Sequence, residues 1–497
     1  MPNSQTALSQ GLIHGKLLAR NAVLNLVGQV APLIAAVFCT PLLINGLGID
    51  RFGLLTLAWV VIGYFSLFDF GIGRALTKAV SDKLGSGHEE DIPSLAWTAL
   101  LLMLMLGVIG AVVVGLLSPW MVYSVLKVPP ILTQDTLNAF YVLALSIPLV
   151  ISTAGLRGIL EAYQRFGLVN AIRIPMGLFT FAGPLLVLPF SNSLLMVVAV
   201  LVIGRLAAWG AHLALCLAVT PGLRHHVVVK RETLGPLFRF GGWLTVTNIV
   251  GPIMIYLDRF LIGGFLSVAA VAYYTTPYEV VTKLLLIPMA LTGVLFPAFA
   301  TALCSDPDRA AYLFHKSIKY VFLVIFPITL ILVVFAYEGL VFWLGQDFAA
   351  HSARVAQWLA VGVFLNSLAQ VPFALLQAGG RPDLTAKLHF IELPFYLLAV
   401  WGLMRVYGVE GAAIAWAGRA GLDAALLFVL SRGYWVRDSV RTSPMIMTLG
   451  FALVVLAGAV VPDDLMTKGL FLSLTLTAFF AATWFWMLAP DKRATKL

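Results

Sequence analysis

At 497 residues, 60% of them apolar and only 11% charged, with a mean hydropathy of +0.95, this chain lacks the polar surface that a soluble domain of its size presents to water. That composition excludes a soluble enzyme or a nucleic-acid-binding module, so the formal net charge of +9 needs another account. Cys39, Cys216 and Cys304 sit in or beside apolar runs without paired spacing, which argues against both a disulfide framework and a metal site.

The first twenty residues are polar and carry Lys16 and Arg20; the apolar run after them has no small-residue cleavage site and reads as a membrane helix, not a removed leader. Apolar runs bounded by charges, Pro and Gly then predict spans at 21–45, 52–72, 94–117, 138–160, 168–189, 194–219, 240–265, 276–299, 318–336, 353–378, 388–405, 411–431, 443–461 and 468–488. The expected fold is an all-α membrane protein of about fourteen transmembrane helices. With the N-terminus inside, cytoplasmic segments collect clusters such as Arg74, Lys78 and Lys83, or Arg224, Lys230, Arg231 and Arg239. The other side receives only Arg51, Lys127, Arg354, Arg405 and Lys468. The net charge is therefore an orientation signal, and both termini are expected in the cytoplasm.

Ile159-Leu160-Glu161-Ala162-x-x-Arg165 recurs 216 residues later as Leu375-Leu376-Gln377-Ala378-x-x-Arg381. Ile174-Pro175 is echoed by Leu393-Pro394, and Leu84 to Glu89 by Leu303 to Asp308, both at an offset of 219. Six spans separate equivalent points, so the halves keep one orientation, as two six-helix bundles in a parallel pseudo-repeat. The expected organisation is a cytoplasmic segment 1–20, a bundle 21–219, a cytoplasmic linker 220–239, a bundle 240–431, and two extra helices with a cytoplasmic tail at 432–497.

Ionisable groups inside spans cost several kcal/mol, about 2.5–3.5 each on insertion scales, so they line a cavity or neutralise one another. Arg205 lies midway along the sixth span without a partner there; Arg419 and Asp423 stand four apart on one face of the twelfth. Asp258 and Arg259 are neighbours in the seventh span. Glu279 and Lys283 stand four apart in the expected first turns of the eighth, opened by Thr276 as N-cap and Pro277 at N1, and suggest an outer gate. Either Arg419 with Asp423 and Glu279 with Lys283 are self-neutralising pairs tying helices together, or their cations line a substrate cavity with Arg259; Arg205 either reaches a carboxylate on another helix or meets an anion in that cavity. Asn25 and Gln29 on the first span, and Asn366 and Gln370 on the tenth, make polar stripes at i, i+4 that serve a cavity or helix-helix contact.

The run Leu67-Phe68-Asp69-Phe70-Gly71-Ile72-Gly73-Arg74-Ala75-Leu76-Thr77-Lys78 resembles the O-antigen flippase-like oligosaccharide flippases of the multidrug/oligosaccharidyl-lipid/polysaccharide exporter superfamily. Gly46-Leu47-Gly48 with Arg51-Phe52-Gly53, then Tyr256 to Gly263, Ala272-Tyr273-Tyr274, Ile287-Pro288 and Leu295-Phe296-Pro297 extend the likeness over roughly residues 20–300. The resemblance implies a bacterial inner-membrane protein that flips an undecaprenyl-diphosphate-linked glycan outward, alongside a glycan polymerase and assembly proteins. Cations at Arg205, Arg259, Lys283 and Arg419 would shield the diphosphate, and Arg74 and Lys78 would meet it at the cytoplasmic mouth. No cofactor is expected. Energy enters from an H+ or Na+ gradient, with Asp258, Glu279, Asp423 and Asp69 as coupling or gating carboxylates, or from consumption of the product. A multidrug or cation antiporter shares the fold. A membrane glycan polymerase or glycosyltransferase would need a large outer loop or an acidic catalytic cluster, and the longest outer loop, 118–137, offers only Lys127 and Asp135.

Overall fold

The computed structural model describes residues 15–67, 72–225, 256–435, 443–462 and 464–484, and every regular element among them is helical. Asp69, the 1–14 segment, most of the 220–239 linker, the first part of the 240–265 span and the 485–497 tail lie outside the described residues. The chain divides into two compact units, 1–272 and 273–497.

In the first unit α1 (Gly15–Leu47) ends where Gly48 turns to φ +77 and donates its N–H to Ile44 O at 2.9 Å, a helix stop that glycine allows without Cβ strain. α2 (Ile49–Leu67) follows at once, and the Gly53 Cα is covered by the Val268 carbonyl, leaving no room for a side chain. α3 (Ile72–Ser86) is amphipathic: Ile72, Ala75, Leu76 and Val80 are buried while Arg74 and Lys78 are exposed. α4 (Ile92–Trp120) packs against the central α5 (Thr133–Ala162), which also holds α2, α3 and α7. Small residues let these helices approach closely, as at Gly107 on Pro148 and Gly158 on Thr77. α6 (Phe166–Leu185) lies on α1 and α7 (Leu194–Val219), and α8 covers 256–265. Asp135, early in α5, accepts from Ser193 Oγ at 2.6 Å and Leu194 N at 2.7 Å, satisfying N–H groups that the start of α7 leaves without an intrahelical partner. Lys127 Nζ donates to Phe265 O at 2.6 Å and pins the 118–137 segment to the end of α8.

The eighth span departs from its expected start. α9 begins at Val268, where the Ser267 hydroxyl accepts from Ala270 N at 3.0 Å, so Ser267 is the cap and Thr276 lies buried inside the helix. Pro277 lies inside α9 (Val268–Val281), which the Ser267 cap and the alanines Ala269, Ala270 and Ala272 start two turns before it. A 3-10 turn at Thr282–Leu285 leads into α10 (Leu286–Ser305).

The rest of the second unit contains α11 (Pro307–Val334), α12 (Ala336–Leu344), the central α13 (Gln346–Ala378), α14 (Pro382–Tyr407), α15 (Val409–Trp435), α16 (Ser443–Gly458) and α17 (Leu465–Ala482). α13 packs on α10, α11 and α15, with α14 on α15, which repeats the network of α5 on α3, α4 and α7, with α6 on α7. The repeated sequence closes the same turn in each unit. Gln164 at φ +55 and Gly380 at φ +74 occupy equivalent places, Arg165 N donates to Leu160 O at 2.9 Å, and Arg381 N donates to Leu376 O at 3.0 Å. α16 and α17 stand outside this repeat; α17 rests on α11, and Lys468 bonds Glu338 of α12 at 2.8 Å.

Nine helices among the described residues are long and apolar enough to cross a bilayer. Along α4, Leu101, Met105, Val108, Ile109, Val112 and Leu116 form one exposed apolar face. A continuous face of that kind requires hydrocarbon, not water, as its solvent. This is a multi-pass membrane protein.

Candidate functional site

In the first unit, Asp258 and Arg259 on α8 are fully buried and form an ion pair at 3.6 Å, with the guanidinium 5.2 Å from the Tyr256 ring centre. Arg259 N also donates to Asp258 Oδ1 at 2.8 Å. Neutralising an adjacent carboxylate is what makes complete burial of the guanidinium tolerable. Arg205 sits midway along α7, half-buried, beside Gly204, whose Cα abuts the Phe179 ring. It makes no ion pair or hydrogen bond among the described residues. Arg74 and Lys78 point outward from α3. The side chains of Asn25 and Gln29, like Asp69, lie outside the described residues.

In the second unit Glu279 and Lys283 pair at 3.3 Å across the end of α9, with side chains 50% and 40% exposed. Asn366 and Gln370 bond each other at 3.2 Å on α13. The helical repeat brings both pairs together, as i, i+4 spacing requires.

Arg419 and Asp423 behave differently. They share a face of α15, and that face lies on α14, where each meets its own partner. Arg419 Nη1 lies 3.9 Å from Glu392 Oε2, and His389 Nε2 lies 3.5 Å from Asp423 Oδ1. The Tyr396 ring centre is 5.4 Å from the Arg419 guanidinium, and the Phe373 ring of α13 stacks on His389. Glu392 and Asp423 are buried, and neither Glu392 oxygen nor Asp423 Oδ1 accepts a hydrogen bond.

Sequence reasoning missed His389 and Glu392. Their signal was present in His389-x-x-Glu392, two ionisable residues three apart inside an apolar span and so on one helical face. His389, Glu392 and Asp423 each bring an electron-pair donor to within 4.8 Å of the others. With Arg419 against Glu392, the set carries one uncompensated negative charge when His389 is neutral, which suits one added positive charge better than two.

Comparison with known proteins agrees with this architecture. The profile of a family described as polysaccharide biosynthesis protein matches residues 18–303. A Shigella flexneri protein named "Putative O-antigen transporter" is 32% identical over 418 residues, covering 82% of this chain and 96% of that one. The lipopolysaccharide biosynthesis protein WzxC of Escherichia coli K12 is 28% identical over 182 residues, 36% of each chain. In three dimensions, an inward-facing multidrug resistance MATE family transporter of the MOP superfamily superposes with a TM-score of 0.66 at 15% identity, covering 84% of this chain and 99% of that one. That likeness shows a shared fold. With more than half its length matched by the family profile and one relative aligned almost end to end, the chain belongs to the polysaccharide biosynthesis protein family.

Proposed function

We propose that this protein is a flippase, a transporter and not an enzyme, which carries a lipid-linked oligosaccharide across a bacterial inner membrane from the cytoplasmic to the outer leaflet. The observation that carries this reading is the near end-to-end relationship to the O-antigen transporter-like protein of Shigella flexneri. The carrier is an undecaprenyl diphosphate, and the glycan passes to a polymerase and assembly proteins on the far side. Both termini face the cytoplasm, in line with the distribution of Lys and Arg.

The physical task is to take a diphosphate through hydrocarbon, and in-span cations reduce its barrier. Arg205 is the strongest candidate for a direct contact, because no carboxylate among the described residues neutralises it. Arg419 is a weaker one while Glu392 occupies its guanidinium. Two repeated bundles supply the moving parts for alternating access, and the lipid tail stays in the bilayer.

The test is leaflet exchange of a fluorescent polyprenyl-diphosphate oligosaccharide in liposomes containing the purified protein. Exchange above that of empty liposomes, reduced in Arg205→Ala, is the expected result. No exchange, together with export of cationic drugs from the same vesicles, would replace this reading with a multidrug antiporter of the same fold.

A further inference from the structure

We propose that His389, Glu392, Arg419 and Asp423 form a binding site for one exchangeable proton inside the second unit. The charge count comes first. With a neutral imidazole, two carboxylates face one guanidinium, leaving one negative charge uncompensated among side chains that are 2% exposed at Glu392, 6% at Asp423 and 13% at Arg419. In a membrane helix such a charge is costly to hold without a partner. One proton converts the cluster into two neutral ion pairs, imidazolium with Asp423 and guanidinium with Glu392.

The second observation is independent of charge. Both Glu392 oxygens and Asp423 Oδ1 are buried without a hydrogen bond, and Arg419 at 3.9 Å is too far to supply one. Buried acceptors left in this state lack a donor, and a proton held on the imidazole or on a carboxyl supplies it. His389, at 34% side-chain exposure, is the most open of the four and forms the way in and out.

Among the described residues, nothing else packed nearby completes the balance. On α13, the uncharged Gln377 bonds Thr385 of α14, and Asn366 and Gln370 bond each other. On α14, Asp383 is held by Arg381 and Lys387, and Arg405 lies over the Trp401 ring. On α15, Glu410 accepts from Trp358, and Arg432 lies in the last turn. α11 meets α15 through Phe314 and Phe428, with His315, Lys316 and Lys319 in its opening turns. A hard metal cation takes about six to eight oxygen ligands, more than the four oxygens of two carboxylates beside a guanidinium provide.

Coupling of this proton to substrate movement rests on the flippase reading; the site itself does not. The first test is proton uptake by the protein in sealed liposomes during stepwise acidification. Wild type is expected to take up about one proton per chain more than Glu392→Gln or Asp423→Asn, and Arg419→Gln to begin uptake at higher pH than wild type. The two isosteric variants are independent, so misfolding of one leaves the other to decide. Uptake equal to wild type in a folded variant overturns the proposal, as does uptake in wild type that sodium ions suppress. Glycolipid exchange is measured in the same vesicles under an imposed pH gradient. Proton uptake without glycolipid movement leaves the site standing and removes the flippase reading; glycolipid movement without the extra proton removes the site alone.

Discussion

Arg205→Leu and Arg419→Leu remove the same side chain from two apolar helices, yet the structure predicts opposite effects on stability. Arg205 has no carboxylate among the described residues, so its charge is an unrelieved cost to the fold. A central arginine costs about 2.5–3.5 kcal/mol on insertion scales, and half-burial reduces this, so Arg205→Leu should stabilise by about 1–2 kcal/mol. Arg419 lies 3.9 Å from a Glu392 carboxylate that accepts no hydrogen bond. Removing one partner of a buried pair costs about 3–5 kcal/mol, because the stranded charge stays behind. A proton taken up at His389 or Glu392 relieves part of this, so Arg419→Leu should destabilise by roughly 3 kcal/mol. Thermal unfolding of purified protein in detergent, followed by tryptophan fluorescence, reads both, at roughly 2–4 °C per kcal/mol for a body of 150–250 residues. Leaflet exchange should fall in both variants. If Arg205→Leu melts below wild type, the side chain is satisfied by a partner and its place as a free cation for the diphosphate is lost.

The equivalent turns offer a cleaner conformational test. Gly380 sits at φ +74 with nothing within 4 Å of an added Cβ, so Gly380→Ala should cost about 1 kcal/mol through backbone strain alone. Gln164→Gly, at φ +55 in the matching turn, should gain up to about 1 kcal/mol, while Gly379→Ala, at φ −76, should be neutral. All three appear in the same melting assay, and equal effects at Gly379 and Gly380 would contradict the turn geometry. Gly158→Leu drives a side chain into Thr77 and should cost about 1–3 kcal/mol, with α3 amides losing protection in hydrogen exchange. Asp464 caps α17 by accepting from Thr467 N at 2.9 Å, Thr467 Oγ1 at 2.8 Å and Met466 N at 3.0 Å. These bonds, led by that from Thr467 N, hold its carboxyl below the ordinary carboxylate range. A lowered carboxyl contributes stability above its ordinary pKa and loses it as pH falls through the lowered value. The protection of amides 465–468, measured against their intrinsic exchange rate at each pH, should therefore fall in acid for wild type and be low at every pH for Asp464→Ala.

Residue order alone determined that these segments are membrane helices and where most of them break. Apolar runs of about twenty residues leave hydrogen-bonded helix as the backbone state hydrocarbon accepts. The repeat from Ile159 to Arg165 and from Leu375 to Arg381 was legible because its turn is local, built from backbone bonds within one short stretch. Glu279 with Lys283, and Asn366 with Gln370, were legible for a related reason: 3.6 residues per turn places i and i+4 together wherever the helix goes. The start of α9 was misread because Pro277 looked like a first-turn proline, whereas the Ser267 cap and the three alanines soon after it start the helix earlier. Tertiary structure decided the partners across helices. Arg419 meets Glu392, Asp423 meets His389, Asp135 caps α7, and Lys468 reaches Glu338. Those contacts depend on the rotation and register of one helix against another, which are set by interlocking small and large side chains along the whole interface and leave no period in the sequence.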